Sequence, residues 1–307
     1  MSTAIETRHL GKWYGEVVGV NDVTVTLEGG ITGLLGPNGA GKSTLLWLLT
    51  GQLRPSQGEV RVYGEAPWRN AALFRRVGFC PETEGLYRGL TGREFVRLLA
   101  RLSGLSRRRA RMRTDEVLDL LGMTSFARRR IGTYSKGMRQ RVKFAQALVH
   151  DPDLLILDEP LAGLDPIGRR DMLALIRRLG DAGKDVLFAS HILHEVESVT
   201  SRILLINRGR ILAEGDVHEI RALIDRHPHH VRVACDRPRD LARLLIDADD
   251  VLSVRVDPKG SALSVETARP DEFYSRLMGV LAESDLDVSA IESPDDNLAA
   301  VFNYLME

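Results

Sequence analysis

The sequence predicts an α/β fold built on a parallel sheet, followed by a smaller α+β domain. Three observations carry that expectation. Short apolar runs alternate with helical patterns up to about residue 224, as in a parallel sheet covered by helices. A glycine-rich octet stands between one of these runs and a helix. The charge is also uneven: from Asp225 onward there are 17 acidic and 9 basic residues, a net −8, while the remainder carries +8. The domains are therefore expected at 1–224 and 225–307.

At 307 residues, 44% hydrophobic and 27% charged, the chain can bury a substantial core without disulfides or metals. Cys80 and Cys235 stand far apart with no metal-binding spacing, which argues against a zinc site and for free thiols in a reducing compartment. No apolar run reaches the ~18 residues of a membrane span. The start, Met1-Ser2-Thr3-Ala4-Ile5-Glu6, lacks the basic and apolar regions of a signal peptide. A soluble, cytoplasmic chain is expected, and a membrane process would need another chain to supply the membrane part.

The elements follow in order. Val23, Val25 and Leu27 alternate with polar residues, and Glu59 to Tyr63 reads similarly, as half-buried strands. Ile31 to Leu35 is a short apolar strand running into the glycine-rich loop. Ser43 to Thr50 is apolar almost all round and reads as a buried helix. Phe95, Leu98, Leu99 and Leu102 form an amphipathic helical stripe in a helical region of about 84–150. Its arginine clusters, Arg107 to Arg113 and Arg128 to Arg130, contain no aromatic residue for stacking bases, and no nucleic-acid partner is expected. Leu154 to Leu157 and Val186 to Ala189 read as strands around a helix that contains Met172, Leu175, Ile176 and Leu179. Ile203 to Leu212, with a turn at Arg208-Gly209, reads as a hairpin. Arg226 to His230 reads as a polar linker. Beyond it the order strand, helix, strand, strand, helix, strand, with a final helix at 297–305, suggests a ferredoxin-like α+β domain.

Gly36, Pro37, Asn38, Gly39, Ala40, Gly41, Lys42 and Ser43 fit GxxxxGK[ST], with Thr44 continuing into the helix. Glycines let several backbone N–H groups point inward at phosphate oxygens, and the helix N-terminus adds positive potential. Lys42 is suited to the β- and γ-phosphates and the Ser43 hydroxyl to Mg²⁺. Asp158 and Glu159 end an apolar strand and so stand at the carboxyl edge of the sheet, where ligands of open α/β sheets bind. Asp158 is expected to hold Mg²⁺ and Glu159 to polarise an attacking water.

Further motifs make the resemblance specific. Thr133-Tyr134-Ser135-Lys136-Gly137-Met138-Arg139-Gln140-Arg141 resembles the signature of ABC ATPases. Gly163-Leu164-Asp165 resembles their D-loop, His191 their H-loop histidine, and Tyr14 the aromatic that stacks on adenine. The resemblance covers Ile5 to about Ile220. It implies a P-loop NTPase core with an antiparallel β subdomain and a helical subdomain, binding ATP and Mg²⁺. It also implies a head-to-tail pair in which Ser135 and Gly137 of one copy cap the ATP held by the other, with Asp165 at that contact. His191 would hold the γ-phosphate and orient Glu159. Glu82 occupies the position of the usual Q-loop glutamine; a carboxylate can ligate Mg²⁺ but cannot donate as an amide does. Met138 also departs from the usual signature glutamine. Both variants resemble the subset that serves exporters of ABC-2 type. The expected role is thus an ATPase motor on the cytoplasmic face of the membrane, partnered by a second nucleotide-binding domain and separate transmembrane permease subunits. A soluble ABC ATPase acting on ribosomes or nucleic acid is the alternative, disfavoured by a single cassette without metal-spaced cysteines or sustained heptads.

Overall fold

The computed structural model describes residues 3–83, 85–217, 229–257 and 260–293. Contacts divide the chain into two units, Met1–Asp216 and Val217–Glu307, each with its own apolar core. The boundary expected at 224/225, the helix expected at 297–305 and residues 226–228 of the expected linker lie outside the described residues.

The first unit opens with two long strands, β1 (Thr3–Tyr14) and β2 (Val17–Glu28), paired antiparallel. With β4 (Gln57–Val62) they form a three-stranded sheet of order β2-β1-β4. Val23, Val25 and Leu27 are buried while Thr24, Thr26 and Glu28 are exposed, so period-two alternation sets which face meets the core. Between β2 and β4 the chain makes β3 (Ile31–Leu35) and helix α1 (Lys42–Leu49). Leu45, Leu46, Leu48 and Leu49 of α1 are all buried and join Leu10, Val20, Leu34, Ile156 and Leu204 in one core. That packing on several sides is why α1 shows no polar stripe.

The central sheet is six-stranded, in order β5-β6-β7-β3-β8-β9. Its strands are β5 (Val77–Cys80), β6 (Leu154–Asp158), β7 (Asp185–Ser190), β3, β8 (Arg202–Asn207) and β9 (Arg210–Asp216). All adjacent pairs are parallel except the β8–β9 hairpin. The helical region contains α2 (Gly92–Leu102), α3 (Arg107–Leu120) and α4 (Lys136–Leu148). Thr91 and Glu94 close a reciprocal capping box at the start of α2, and Ser106 and Ser135 cap α3 and α4. Helices α5 (Pro166–Asp181) and α6 (Leu193–Glu197) complete the unit.

The second unit runs β10 (His229–Cys235), α7 (Pro238–Leu245), β11 (Val251–Val256), β12 (Ala262–Thr267), α8 (Pro270–Glu283) and β13 (Val288–Glu292). Its antiparallel sheet has the order β11-β12-β10-β13, a ferredoxin-like arrangement. Val231, Val233, Leu241, Leu263, Val265, Phe273 and Leu277 fill the space between sheet and helices. One expectation is corrected: His229 and His230 are not linker residues. They start β10, opposite Thr267 and Glu266, and His230 Nε2 lies 3.0 Å from Glu266 Oε1. Cross-strand pairing extends the strand beyond its apolar run, which a reading of hydropathy alone does not register.

Candidate functional site

Strand order builds the site. β7 lies between β3 and β6, so the loops leaving β3, β7 and β6 converge at one carboxyl edge. The loop after β3 carries Gly36 to Gly41, the loop after β6 begins at Glu159, and His191 directly follows β7.

The glycine loop is held from outside. A Cβ on Gly36 would come within 2.4 Å of the Ile206 carbonyl oxygen, and one on Gly41 within 2.3 Å of that of Gly19. Gly41, at φ 104°, is also the residue that turns the chain into α1. Gly36 N–H donates to Ser190 O at 3.4 Å, and Gly209 N–H to Ala40 O at 2.8 Å. Asn38 and Gly39 form the outer bend, with Pro37 O accepting from Ala40 N–H at 3.2 Å. Thr44 lies one residue beyond Ser43, and its hydroxyl is 3.5 Å from the exposed Tyr14 hydroxyl. Tyr14, 42% exposed, thus stands beside the start of α1, with Lys12 Nζ 5.6 Å from its ring centroid.

Lys42 is buried, at 7% exposure, and its Nζ donates to Gly36 O at 2.7 Å and Pro37 O at 3.3 Å. The same nitrogen lies 3.5 Å from Glu159 Oε1, and that oxygen is 2.9 Å from His191 Nδ1. Glu159 is thus gripped between a lysine and a histidine while itself 8% exposed. Its backbone adopts φ 47°, the left-handed region that costs a non-glycine residue about 1–3 kcal/mol. Behind His191, Ser190 Oγ donates to Glu195 Oε2 at 2.9 Å, and Arg169 donates to Glu195 Oε1 at 3.1 Å. Ile192 N–H donates to Ser190 Oγ at 3.1 Å, fixing the backbone on the far side of His191.

Asp158 is 1% exposed, and burial pushes its carboxyl up to about 6; the hydrogen bond with Ser43 pulls the other way, while the charges of Glu82 and Glu159 add to the rise. Its Oδ1 is a buried oxygen without a hydrogen-bond partner. A hydroxyl, an unsatisfied buried carboxylate oxygen and a neighbouring exposed carboxylate at Glu82 make an all-oxygen donor set that fits a hard divalent cation such as Mg²⁺.

The remaining residues form a second group. Ser135 caps α4, accepting from Met138 N–H at 3.2 Å. A Cβ on Gly137 would meet the Gly163 carbonyl oxygen at 3.5 Å, so the signature and the segment before α5 lie side by side. Asp165 caps α5, its Oδ1 accepting from Gly168 N–H at 3.1 Å. Among the described residues no hydrogen bond or ion pair links Ser135, Gly137 or Asp165 directly to Lys42 or Glu159. The connection runs through residues that the sequence reading passed over. Gln140 Nε2 donates to Glu159 O at 3.2 Å and Pro160 O at 2.8 Å. Lys143 Nζ donates to Pro81 O at 2.9 Å and Glu82 O at 2.6 Å. Their spacing of three puts both on one face of α4 but does not say what they hold.

Residues 20–162 match the family model described as ABC transporter. The chain is 35% identical over 301 residues to the daunorubicin/doxorubicin resistance ATP-binding protein of Streptomyces peucetius, covering 97% of this chain and 91% of that one. It is 34% identical to the Nod factor export ATP-binding protein I of Rhizobium sp. (strain N33), covering 90% of each. Among solved structures, a dimeric bacterial ABC transporter cassette superposes with a TM-score of 0.65 at 25% identity, covering 69% of this chain and 98% of that one.

Proposed function

The chain belongs to the family of ABC transporter ATP-binding proteins, and from that premise we propose that it is the ATP-hydrolysing motor subunit of a membrane exporter of ABC-2 type. The observation that carries this reading is the grip on Glu159 by Lys42 and His191 at the edge of the glycine loop.

In this reading the phosphates of ATP enter the loop from Gly36 to Gly41 and draw Lys42 away from the Gly36 and Pro37 carbonyls and from Glu159. Glu159, released from Lys42 but still held by His191, takes the proton of a water. That water attacks the γ-phosphorus as the bond to the bridging oxygen of ADP breaks. His191 orients Glu159 and faces the γ-phosphate. Ser43, Asp158 and Glu82 would hold Mg²⁺, whose positive charge would offset the negative charge of the nucleotide phosphates. Tyr14 offers its exposed ring to adenine. Ser135 and Gly137 present the α4 N-terminus to the γ-phosphate bound by a second copy, with Asp165 shaping the neighbouring turn.

No described helix is long and apolar enough to cross a membrane, so the reading places the transmembrane part in separate permease chains and this subunit on the cytoplasmic face. The names of the full-length relatives, a drug-resistance and an export ATP-binding protein, support export over action on ribosomes or nucleic acid. The test is capture of a Glu159→Gln variant in the presence of ATP. It should accumulate as an ATP-bound dimer and bring a multi-span protein from membranes. Recovery of ribosomes in its place, or wild-type turnover in the variant, would overturn the reading.

A further inference from the structure

Helix α4 turns one row of donors toward the carboxyl edge of the sheet. Gln140, Lys143 and Gln146 follow at intervals of three residues, and each reaches backbone carbonyls of the core. Gln140 holds Glu159 and Pro160, Lys143 holds Pro81 and Glu82, and Gln146 Nε2 donates to Phe79 O at 3.3 Å. Gln140 and Lys143 are 3% and 4% exposed, so these donors are exchanged for nothing in water. The helix that begins at Ser135 is therefore fastened to the strained peptide of Glu159 and to the loop of Glu82.

We infer that Gln140 couples the two ATP sites of the dimer: it transmits the seating of the partner's γ-phosphate at Ser135 and Gly137 to the Glu159 peptide of its own chain. This rests on the head-to-tail pairing proposed above. Gln140 stands five residues beyond the Ser135 cap, about 7.5 Å along a helix stiff enough to move as one body. Glu159 is held from two directions, by its own N–H to Ala189 O at 3.0 Å and by the Gln140 amide on its carbonyl. Between those holds sits the φ of 47°, a conformation that persists only while its surroundings impose it. When α4 shifts on meeting the partner's nucleotide, Gln140 shifts the Glu159 carboxylate against the water in its own site. Gln140 is thus a positioning residue, acting through Glu159 without touching ATP.

The experiment compares Gln140→Met, which keeps volume and removes both donors, with Gln146→Met, which removes a donor from the same helix face but holds only Phe79. Steady-state ATPase rates are measured against ATP concentration, and fluorescent-ATP binding is measured separately. In Gln140→Met, turnover should fall by about tenfold or more while ATP affinity stays within about twofold, since only the reacting geometry is disturbed. Its Hill coefficient should drop from above one toward one, the sign of lost coupling. Gln146→Met should keep both turnover and cooperativity. Equal losses in the two variants would reduce Gln140 to packing and overturn the inference. Gln140→Asn, one methylene too short to reach both carbonyls, should reproduce the loss in protein that is still folded at the assay temperature; wild-type cooperativity in that variant would also overturn it. A wild-type chain that hydrolyses ATP without cooperativity, and whose Glu159→Gln form stays monomeric with ATP, would instead refute the dimer reading itself.

Discussion

His191 Nδ1 stands 2.9 Å from Glu159 Oε1, though 32 residues separate them in the chain. The pair meets because β6 and β7 are parallel neighbours in register, Asp158 beside Ala189, so each strand delivers its next residues to the same edge. An N–H donated to this oxygen fixes the carboxylate's rotation and, in the proposed mechanism, leaves the other oxygen to address a water. His191→Ala should lower turnover by about a hundredfold or more, as for loss of a group that orients a general base. ATP binding, read by fluorescence titration, should stay near wild type. Loss of binding in step with turnover would show that His191 acts on the nucleotide alone.

Lys42 gives a stability prediction. Its ammonium and the Glu159 carboxylate are 3.5 Å apart with side chains only 7% and 9% exposed. Removing Lys42 leaves the buried Glu159 carboxylate with the His191 contact but no permanent positive charge beside it. Lys42→Met should therefore destabilise the nucleotide-free protein by about 3 kcal/mol. Adding Glu159→Gln should recover much of that loss, because the charge left behind is gone. Urea unfolding of the two variants and the double variant tests this; strict additivity would count against coupling between the pair.

Most of the residues proposed for this site could be picked out beforehand because they lie in short local runs. Gly36 to Ser43 and Asp158-Glu159 each lie within one loop or one strand end, and strand alternation shows where they emerge. The ferredoxin-like order of the second unit was readable for the same reason, since each element fills its own hydropathy period. Gln140, Lys143, Ser190, Glu195 and Arg169 were not readable. Gln140 and Lys143 donate to backbone carbonyls 19 to 62 residues away, and a carbonyl leaves no trace in residue type. Arg169 and Glu195 are 26 residues apart and resemble any surface charges until the fold brings them together behind Ser190. His229 and His230 misled because strand pairing, which decides their conformation, belongs to their partners Thr267 and Glu266.

Both cysteines are reduced and buried. Burial pushes the Cys80 thiol up to about 12, with nearby Lys143 opposing the rise, and raises Cys235 as well. The thiolate is the reactive form, so at pH 8 neither site should be alkylated by iodoacetamide while the protein is folded. Both should react on denaturation. Mass spectrometry before and after unfolding decides it, and rapid labelling of native Cys80 would contradict its 0% exposure.

Phe273 is fully buried at the centre of the second unit's core. Phe273→Ala should cost that unit about 4 kcal/mol through lost burial and the cavity left behind. Two units with separate cores are not expected to melt as one. Calorimetry should show one transition moving down while the transition of the ATP-binding unit holds its temperature. A common shift of both would mean that the cores unfold cooperatively.

The crowding around the glycine loop bears on how nucleotide binds. Gly36 is pressed against the carbonyl of Ile206 in β8 and Gly41 against that of Gly19 in β2, so two different sheets hold the loop's curve before any nucleotide arrives. The phosphates meet a finished mould, and little ordering entropy is lost at the moment of association. What rearranges when they arrive is then the Lys42 side chain, which leaves the Gly36 and Pro37 carbonyls, and not the loop that carries it.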